Sequence, residues 1–359
     1  MMKLSSEPML SSYLHSRGAS LGLPISGTFE LTARCNFSCP MCYVHLQNAR
    51  AEEELSASQW LDIASQAKDQ GMMFVLLTGG EPFIRKDFFE IYEGIKSLGL
   101  MVSINTNGSM LSGEIRDKLI ENPPVRMNIS LYGGCSDTYR RMCGPDAFDD
   151  VVENIRALKQ AGIDIRLNYS ITPENHTDME KILQISKSMD VHIKASSYMY
   201  PPVRTGREDR RMSPERSAQL NLQWDRLRLS ADEFSHRLQA ASSLECGVEE
   251  QTGVGCRAGI TSFWLTWDGR MLPCGMMPGA GADVLSMGFP AAWEQTKDTS
   301  RQIRMPARCA GCEMRKLCSV CAAVCISETG HFDKVPEYVC RRTEEMVRLM
   351  RLIQEKEDL

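Results

Sequence analysis

Alternating strand-like and helix-like segments between residues 27 and 197 constrain the fold more strongly than any other feature of this sequence. Short segments rich in β-branched or apolar residues recur there, with amphipathic helical patterns between them. The predicted strands are Gly27–Thr32, Met73–Leu77, Met101–Asn105, Arg126–Leu131, Ile163–Ser170 and Val191–Ala195. This alternation indicates βα units around a parallel sheet.

Six such units predict an α/β fold with an open, partial (β/α)6 barrel, because a closed barrel of this type needs eight units. Its functional site is expected at the carboxyl ends of the strands. Beyond Cys246 the chain is rich in cysteine and glycine, which is typical of a small domain stabilised by metal centres. The expected domains are an N-terminal extension over 1–26, the barrel over 27–200, a linker and bridging helix over 201–245, the Cys-rich domain over 246–341 and a C-terminal helix over 342–359.

Charge and hydropathy narrow the possible partners and the cellular location. The 359 residues include 41 Lys and Arg against 46 Asp and Glu, and this net charge of −5 gives no electrostatic reason to expect nucleic-acid or membrane binding. The sequence begins without the apolar segment of a signal peptide, and no stretch reaches the 18 apolar residues of a membrane span. We therefore expect a cytoplasmic protein. In that reducing compartment its 14 cysteines indicate metal or cluster ligands rather than disulfides.

The first cysteine group follows the first predicted strand. Cys35, Cys39 and Cys42 have the spacing C-x3-C-x2-C on a loop at the carboxyl edge of the sheet. Three sulfur ligands can neither close a tetrahedral zinc site nor fill all four irons of a cubane cluster, so one position is left for another ligand. The alternative is a structural zinc site that takes a fourth ligand such as His45.

A second motif, Gly79-Gly80-Glu81-Pro82, follows the second predicted strand. Together the two motifs resemble the signature of the radical S-adenosylmethionine (radical SAM) enzymes, and the resemblance covers roughly the first 200 residues. It implies that Cys35, Cys39 and Cys42 are the catalytic metal ligands of a [4Fe–4S] cluster whose open iron binds S-adenosylmethionine. In this family one electron cleaves that cofactor to a 5′-deoxyadenosyl radical, which abstracts hydrogen from the substrate. A reducing partner such as flavodoxin or ferredoxin is implied as well.

The resemblance also implies a set of S-adenosylmethionine contacts. These are Met41, Gly79, Gly80, Glu81, Pro82, Asn105, Ser130 and Asn168. Glu81 supplies the carboxylate that a methionyl ammonium needs. Met41 stands where many relatives have an aromatic residue and bind the adenine through the backbone, while Ser130 ends the fourth strand where relatives often touch the cofactor. Asn105 and Asn168 are rim candidates that could equally cap a loop.

The second cysteine group occupies the C-terminal third. It comprises Cys256, Cys274, Cys309, Cys312, Cys318, Cys321, Cys325 and Cys340, with Gly269 placed five residues before Cys274. Alone, this array is equally typical of structural zinc sites and of iron–sulfur clusters. After the N-terminal motifs, it resembles the SPASM extension of radical SAM enzymes, which implies one or two auxiliary [4Fe–4S] clusters.

Carried over from that extension, the auxiliary ligands fall into two sets. One set is Cys309, Cys312, Cys318 and Cys340; the other is Cys256, Cys274, one of Cys321 and Cys325, and Cys246 as a candidate fourth ligand. The family usually has three residues between the third and fourth cysteines, whereas here two residues separate Cys318 from Cys321 and six separate it from Cys325. We favour Cys321. Cys135 and Cys143 are left as inert core thiols or, because they follow the fourth strand, as catalytic rim residues.

The SPASM group is dominated by enzymes that modify peptides. The resemblance therefore implies a ribosomally synthesised peptide as substrate, with a crosslink, thioether, epimerised centre or decarboxylation as product. The alternative is a small molecule such as a sugar, an amine or a tetrapyrrole cofactor intermediate. A sulfatase-maturing enzyme is disfavoured, because Gly275 stands where those enzymes have Asp. A non-catalytic electron carrier or zinc scaffold would need no Gly-Gly-Glu-Pro element.

Recognition of a peptide leader is a separate question. The 26 residues before the first predicted strand are too few for a winged-helix leader-binding module, which has roughly 80 residues, so we expect any leader binder to be a separate protein. The Arg204–Arg216 stretch could bind an acidic leader, or it could be a solvated loop.

Overall fold

The computed structural model describes residues 6–44, 50–111, 113–202, 205–206, 208–242, 244, 253–277, 279 and 281–357. In chain order the elements are α1 (Ser6–Leu21), β1 (Ser26–Glu30), α2 (Ala57–Asp69), β2 (Phe74–Thr78), α3 (Phe88–Ser97), β3 (Met101–Thr106), α4 (Glu114–Glu121), β4 (Arg126–Ser130), α5 (Ser136–Cys143), α6 (Phe148–Gln160), β5 (Ile165–Ser170), α7 (Met179–Ser188), β6 (His192–Ser196), α8 (Pro214–Arg228), α9 (Ala231–Gln239), β7 (Ser262–Leu265), β8 (Arg270–Leu272), β9 (Ala282–Asp283), α10 (Val284–Met287), α11 (Phe289–Gln302), α12 (Ala307–Ala310), α13 (Ala322–Thr329) and α14 (Glu337–Glu357). The described residues form two units.

Unit 1 comprises Met1–Asn36, His45–Asn105 and Gly253–Ile303. In its sheet β1 pairs in parallel with β2 and with β7, and β2 pairs in parallel with β3. Two short antiparallel strands, β8 and β9, extend the sheet beyond β7. Aromatic side chains fill the core next to β1 and β7, where the rings of Phe29 and Trp60 lie 5.1 Å apart and those of Phe263 and Phe289 lie 5.2 Å apart.

Unit 2 comprises Phe37–Val44, Thr106–Thr252 and Arg304–Leu359. Strands β4, β5 and β6 form parallel pairs within it. Helix α14 packs along α8, and α9 completes an apolar core with them that includes Leu222, Phe234 and Met350. Helix α8 begins at Pro214, where the Ser213 hydroxyl caps it by accepting from the Arg216 N–H at 3.2 Å.

The six predicted strands are confirmed, with ends displaced by at most two residues. The sequence does not predict β7 to β9, because strands of two to four residues carry too little periodicity. Strand β7 pairs with β1, which lies more than 200 residues earlier in the chain. The last helix starts at Glu337, earlier than expected, so Cys340 lies on it. Among the described residues no helix is long and apolar enough to cross a membrane.

A buried ion cluster fixes the chain between β1 and Cys35. The Glu54 carboxylate binds the guanidinium of Arg34 at 2.8 and 2.9 Å and that of Arg85 at 3.4 Å, and it also accepts from the Thr32 hydroxyl. Only 4% of the Glu54 side chain is exposed. Arg85 in turn donates to the Leu31 carbonyl at 2.9 Å. Residues 31–34 are therefore tied to the start of α2 and to the segment after β2.

Replacing Glu54 should reveal this cluster as a major source of stability. Glu54→Gln removes the negative charge that two guanidinium groups share, and breaking a buried pair in this way costs roughly 3 kcal/mol. We expect the melting temperature to fall by several degrees in calorimetry. Glu53→Gln is the matched control, because Glu53 is 42% exposed and pairs only with the exposed Arg50. Equal melting temperatures for the two variants would contradict this assignment.

Candidate functional site

The Gly79-Gly80 turn of unit 1 lies directly on the backbone that leads to Cys35. Gly80 N–H donates to the Thr32 carbonyl at 2.7 Å, and Glu81 N–H donates to the Arg34 carbonyl at 2.9 Å. A Cβ atom at Gly80 would stand 2.2 Å from the Arg34 oxygen, and one at Gly79 would stand 2.6 Å from the Thr32 oxygen. Only glycine permits this approach, which brings the Gly-Gly-Glu-Pro element beside the beginning of the cysteine loop.

Glu81 is the buried carboxylate of this turn. Its side chain accepts from the Phe83 N–H at 3.2 Å, and Pro82 begins the short 3-10 helix Pro82–Ile84 immediately after it. Glu81 has no exposed surface. A carboxylate fixed in this way, next to glycine backbone, fits the ammonium group of an amino-acid moiety. The half-buried Cys35 follows the same segment of unit 1.

Cys39 and Cys42 lie on the loop of unit 2. Cys39 is buried, Cys42 is half-buried, and the Cys42 N–H donates to the Cys39 carbonyl at 3.2 Å. The Ser38 N–H donates to the Cys143 carbonyl at 2.9 Å, which ties this loop to the end of α5. A hydrogen bond with the Cys143 thiol, together with burial, holds the pKa of Cys39 well above its ordinary value. Iron coordination would favour the thiolate instead.

The structure separates Cys135 and Cys143, two of the three cysteines left without a cluster assignment. Cys143, fully buried, ends α5 beside Cys39. Cys135 stands at the opposite end of that helix, where a hydrogen bond from Thr138 at 3.4 Å lowers its pKa. Cys143 is thus the nearer of the two to the cysteine loop within unit 2.

The other predicted cofactor contacts lie at strand ends. Ser130 ends β4 and is the register partner of Asn168 on β5, and both residues are half-buried. The structure therefore brings these two side by side in unit 2. Asn105 lies near the end of β3. His45 and Cys246 fall outside the described residues.

A pocket in unit 2 opens beside the cysteine loop. It encloses about 480 Å³ of space not occupied by atoms. Pro40 and Met41, between Cys39 and Cys42, line it on the loop side, while the segment after β6 contributes Met199, Tyr200 and Arg211. The remaining lining residues are Ile171, Thr172, Pro173, Glu174, Ser197, Pro202, Glu208, Asp209, Arg210 and Met212.

A buried ionic and aromatic cluster fixes the wall of this pocket to α13. The Tyr198 hydroxyl donates to Glu328 at 2.8 Å, and Arg211 donates to the same carboxylate at 2.6 Å. Arg211 also binds Asp209 and lies 4.5 Å from the centre of the Tyr338 ring. Burial and the charge of Glu328 strongly raise the pKa of Tyr198, so its phenol stays protonated.

Two of the three described arginines of the Arg204–Arg216 stretch bind carboxylates, and the third, Arg216, donates to the Gln219 amide oxygen at 3.4 Å. Arg210 binds Glu208 at 3.1 Å, and Arg211 binds Asp209 at 2.7 Å. Arg204 and Arg207 fall outside the described residues. The Arg211 side chain is 12% exposed and pairs with that of Glu328, which is 7% exposed, whereas the Arg210–Glu208 pair is exposed.

The cysteines of the C-terminal segment gather around Cys325 in unit 2. Burial, followed by the charges of Cys309, Cys321, Cys318 and Cys340, raises the pKa of Cys325 to about 12. The same electrostatic neighbourhood includes Cys312, which acts on Cys309. In unit 1, Cys256 is exposed and Cys274 half-buried. Within the described ranges no three His, Cys, Asp or Glu residues are arranged to hold a single metal ion.

Arg342 is a buried cation in the same unit as the thiols around Cys325. It is buried on α14, and among the residues that the structure describes its guanidinium donates to three neutral atoms: Ser217 Oγ at 2.9 Å, Asn221 Oδ1 at 3.0 Å and Ser197 Oγ at 3.2 Å. A buried cation without a carboxylate partner is costly. Cys318 is among the groups whose charge acts on Arg342, and an anionic group held by such thiolates would compensate the buried cation.

Tyr200, Glu328 and Arg342 were not identified as site residues from the sequence. For Tyr200 a signal exists, since it follows β6 at the carboxyl end, where the site of such a sheet is expected. Glu328 and Arg342 carry no such signal. Each acts through a partner more than 100 residues away in the chain.

Comparison with known proteins agrees with this geometry. Residues 29–185 match the family profile described as the Radical SAM superfamily. The AdoMet-dependent heme synthase of Methanosarcina barkeri is 26% identical over 336 residues, which span 88% of this chain and 95% of that protein. The probable GTP 3',8-cyclase of Saccharolobus solfataricus is 36% identical over 165 residues, 45% of this chain and only about half, 53%, of that protein.

Solved structures share the fold. Streptococcus suis SuiB bound to S-adenosylmethionine matches with a TM-score of 0.69 at 17% identity, covering 92% of this chain and 82% of that one. Native anSMEcpe with bound AdoMet matches with a TM-score of 0.68 at 17% identity, covering 93% of this chain and 100% of that one. The predicted α/β fold with a parallel sheet is confirmed.

Replacing Gly80 tests the backbone contact beside Cys35. In Gly80→Ala the new methyl group would collide with the Arg34 carbonyl, and such overpacking costs about 1–3 kcal/mol. If the strain falls on the turn, S-adenosylmethionine should bind roughly tenfold or more weakly in isothermal calorimetry. Gly253→Ala is the control, since nothing lies within 4 Å of its Cβ position. Unchanged affinity in Gly80→Ala would show that this turn does not hold the cofactor.

Proposed function

Because the chain is an enzyme of the Radical SAM superfamily, we propose that it modifies a ribosomally synthesised peptide by abstracting hydrogen from a carbon that enters the unit 2 pocket. One observation carries this proposal. The pocket is lined by Pro40 and Met41, which lie between two ligands of the cysteine loop, and by Tyr200, which contacts Cys321. A substrate in this pocket would lie against both predicted cluster regions of unit 2.

The first cysteine group would bind the catalytic cofactors. Cys35, Cys39 and Cys42 would ligate a [4Fe–4S] cluster, leaving one iron for the amino and carboxyl groups of S-adenosylmethionine. When bound, the cluster would supply the electron, and S-adenosylmethionine would supply the sulfonium bond whose cleavage generates a 5′-deoxyadenosyl radical. Glu81 would accept from the methionyl ammonium. The turn at Gly79 and Gly80 would let the backbone approach the cofactor closely.

Further contacts would orient the cofactor and substrate. Ser130 and Asn168, adjacent in register, offer a hydroxyl and an amide at the strand ends. Met41 would present its backbone to the adenine while its side chain lines the pocket. The apolar lining, including Met199 and Ile171, would exclude water from the reacting carbon.

Auxiliary clusters are part of the proposal. Cys309, Cys312, Cys318 and Cys340 would ligate one of them, and the uncompensated charge of Arg342 supports an anionic group in this region. Cys321 would contribute to the other, together with Cys256 and Cys274. A reducing partner such as flavodoxin or ferredoxin would supply the electron.

The open form of the pocket favours a peptide. Its volume of about 480 Å³ includes space that is open to solvent. One peptide side chain would fill such a pocket while the rest of the peptide lay outside. Bound precursor peptide in a SuiB structure of the same fold is compatible with this mode of binding.

A second candidate is a small-molecule reaction. It is favoured by the near full-length match to proteins named AdoMet-dependent heme synthase, which raises a tetrapyrrole as the substrate. A whole macrocycle would require the pocket to widen considerably. The cyclase match spans only about half of those proteins and supports no substrate assignment.

The two candidates can be separated in one assay. The anaerobically reconstituted enzyme is given reductant, S-adenosylmethionine and either peptides encoded beside its gene or an iron tetrapyrrole bearing propionates. The proposal predicts a mass change in a peptide and at least tenfold more 5′-deoxyadenosine than without it. With peptide deuterated at the reacting carbon, deuterium should appear in the 5′-deoxyadenosine.

A pocket variant provides the control for this assay. Met199→Trp should fill the pocket and abolish the peptide mass change, while 5′-deoxyadenosine formation without substrate should persist. Conversion of the tetrapyrrole but of no peptide would replace the peptide proposal with the small-molecule candidate. Full peptide conversion by Met199→Trp would contradict the assignment of the pocket.

A further inference from the structure

The hydroxyl group of Tyr200 connects the pocket to the cysteine-rich segment. Tyr200 lines the pocket, and its oxygen lies 3.9 Å from the Sγ atom of Cys321. This separation is within the hydrogen-bonding range for sulfur. Cys321 is the residue directly before α13, and it is half-buried. One side chain therefore touches both the space for a substrate and a predicted cluster ligand.

Packing fixes the Tyr200 ring in this position. The ring lies 5.3 Å from that of Tyr198, with an angle of 67° between their planes, an edge-to-face arrangement. Tyr198 is itself fixed through its hydroxyl bond to Glu328, which Arg211 also binds. Glu328 lies on α13, only seven residues after Cys321. The aromatic pair is thus attached to the helix that begins beside the thiol.

The two tyrosines differ in where their hydroxyl groups point. That of Tyr198 donates to a carboxylate, whereas that of Tyr200 faces a sulfur atom. A cluster-bound thiolate has no proton and can only accept, so Tyr200 must be the donor once Cys321 ligates iron. Hydrogen bonds to cluster sulfurs are one of the means by which a protein sets the reduction potential.

We propose that Tyr200 is a positioning residue that donates a hydrogen bond to the Cys321 thiolate and thereby couples the reduction potential of one auxiliary cluster to occupancy of the pocket. The proposal rests on the proposed function in requiring that Cys321 be a cluster ligand. The bond stabilises the more negative, reduced cluster and so raises its potential. A substrate that displaces or reorients the Tyr200 hydroxyl changes this stabilisation.

The test compares two tyrosine variants in the reconstituted, full-length enzyme by redox titration monitored with electron paramagnetic resonance. Tyr200→Phe should lower the ratio of reduced to oxidised auxiliary cluster at a fixed potential by about fivefold to tenfold, where tenfold equals ~59 mV for one electron. Tyr198→Phe is the matched control, because it removes a hydroxyl from the same aromatic cluster without touching sulfur. It should leave the ratio unchanged.

Two further measurements distinguish failure of the Tyr200 hydrogen-bond proposal from failure of the Cys321 ligand assignment. Tyr200→Met, which also removes the hydroxyl, must shift the potential in the same direction, so the result does not depend on one substitution. Cys321→Ala should lose about four irons, whereas Cys325→Ala should retain its iron. If Cys321→Ala kept its iron, Cys321 would not be a cluster ligand, and the Tyr200 proposal would be overturned. Cleavage of S-adenosylmethionine by the same variant would still test the catalytic cluster independently.

The remaining outcomes also decide the question. Loss of iron in Cys321→Ala with an unchanged potential in Tyr200→Phe would overturn the role of Tyr200 and leave the proposed function intact. An equal shift in Tyr198→Phe and Tyr200→Phe would show that aromatic packing, not the hydrogen bond to sulfur, sets the potential.

Discussion

Two backbone hydrogen bonds, from Gly80 to Thr32 and from Glu81 to Arg34, fix the Gly-Gly-Glu-Pro element of unit 1 on the backbone that leads to Cys35. They continue the pairing of β1 with β2 beyond the ends of both strands. The segment that ends at Cys35 and a carboxylate-bearing turn, separated by more than 40 residues in the chain, are thereby brought together within unit 1. The absence of a side chain at Gly80 makes the contact possible. The Glu54 ion cluster then holds the same segment from the other side.

The pocket wall and the cysteine-rich region of unit 2 depend on buried charge. Glu328 binds both Tyr198 and Arg211, and so fixes the pocket wall to the helix that begins after Cys321. Arg342 is buried among neutral acceptors near the gathered cysteines. In the described part of the chain no carboxylate pairs with Arg342, so a negative charge beside it would stabilise this interior. Clusters ligated by thiolates have that charge.

Much of the fold could be predicted from the sequence, because the six parallel strands have local patterns that alternate with helical stripes. The Gly-Gly-Glu-Pro motif could be assigned for a similar reason, since its position after β2 is itself a local property. The wall of the pocket could not be predicted from the sequence. Arg211 and Glu328 meet across 117 residues, and neither lies in a motif. The strand β7 was missed because its pairing with β1 and β8, rather than a local pattern, makes those four residues a strand. The place of Cys143 beside Cys39 likewise depends on how the loop packs against α5.

The central claim is that one cluster, held by Cys35, Cys39 and Cys42, has an open iron at which S-adenosylmethionine is cleaved. The direct measurement is iron content and 5′-deoxyadenosine formation in the variant with all three replaced by Ala. With three four-iron clusters, about twelve irons per chain are expected, and the variant should lose about a third of them together with all cleavage. A variant that retains cleavage, or a wild-type protein that binds stoichiometric zinc with little iron, would contradict the claim.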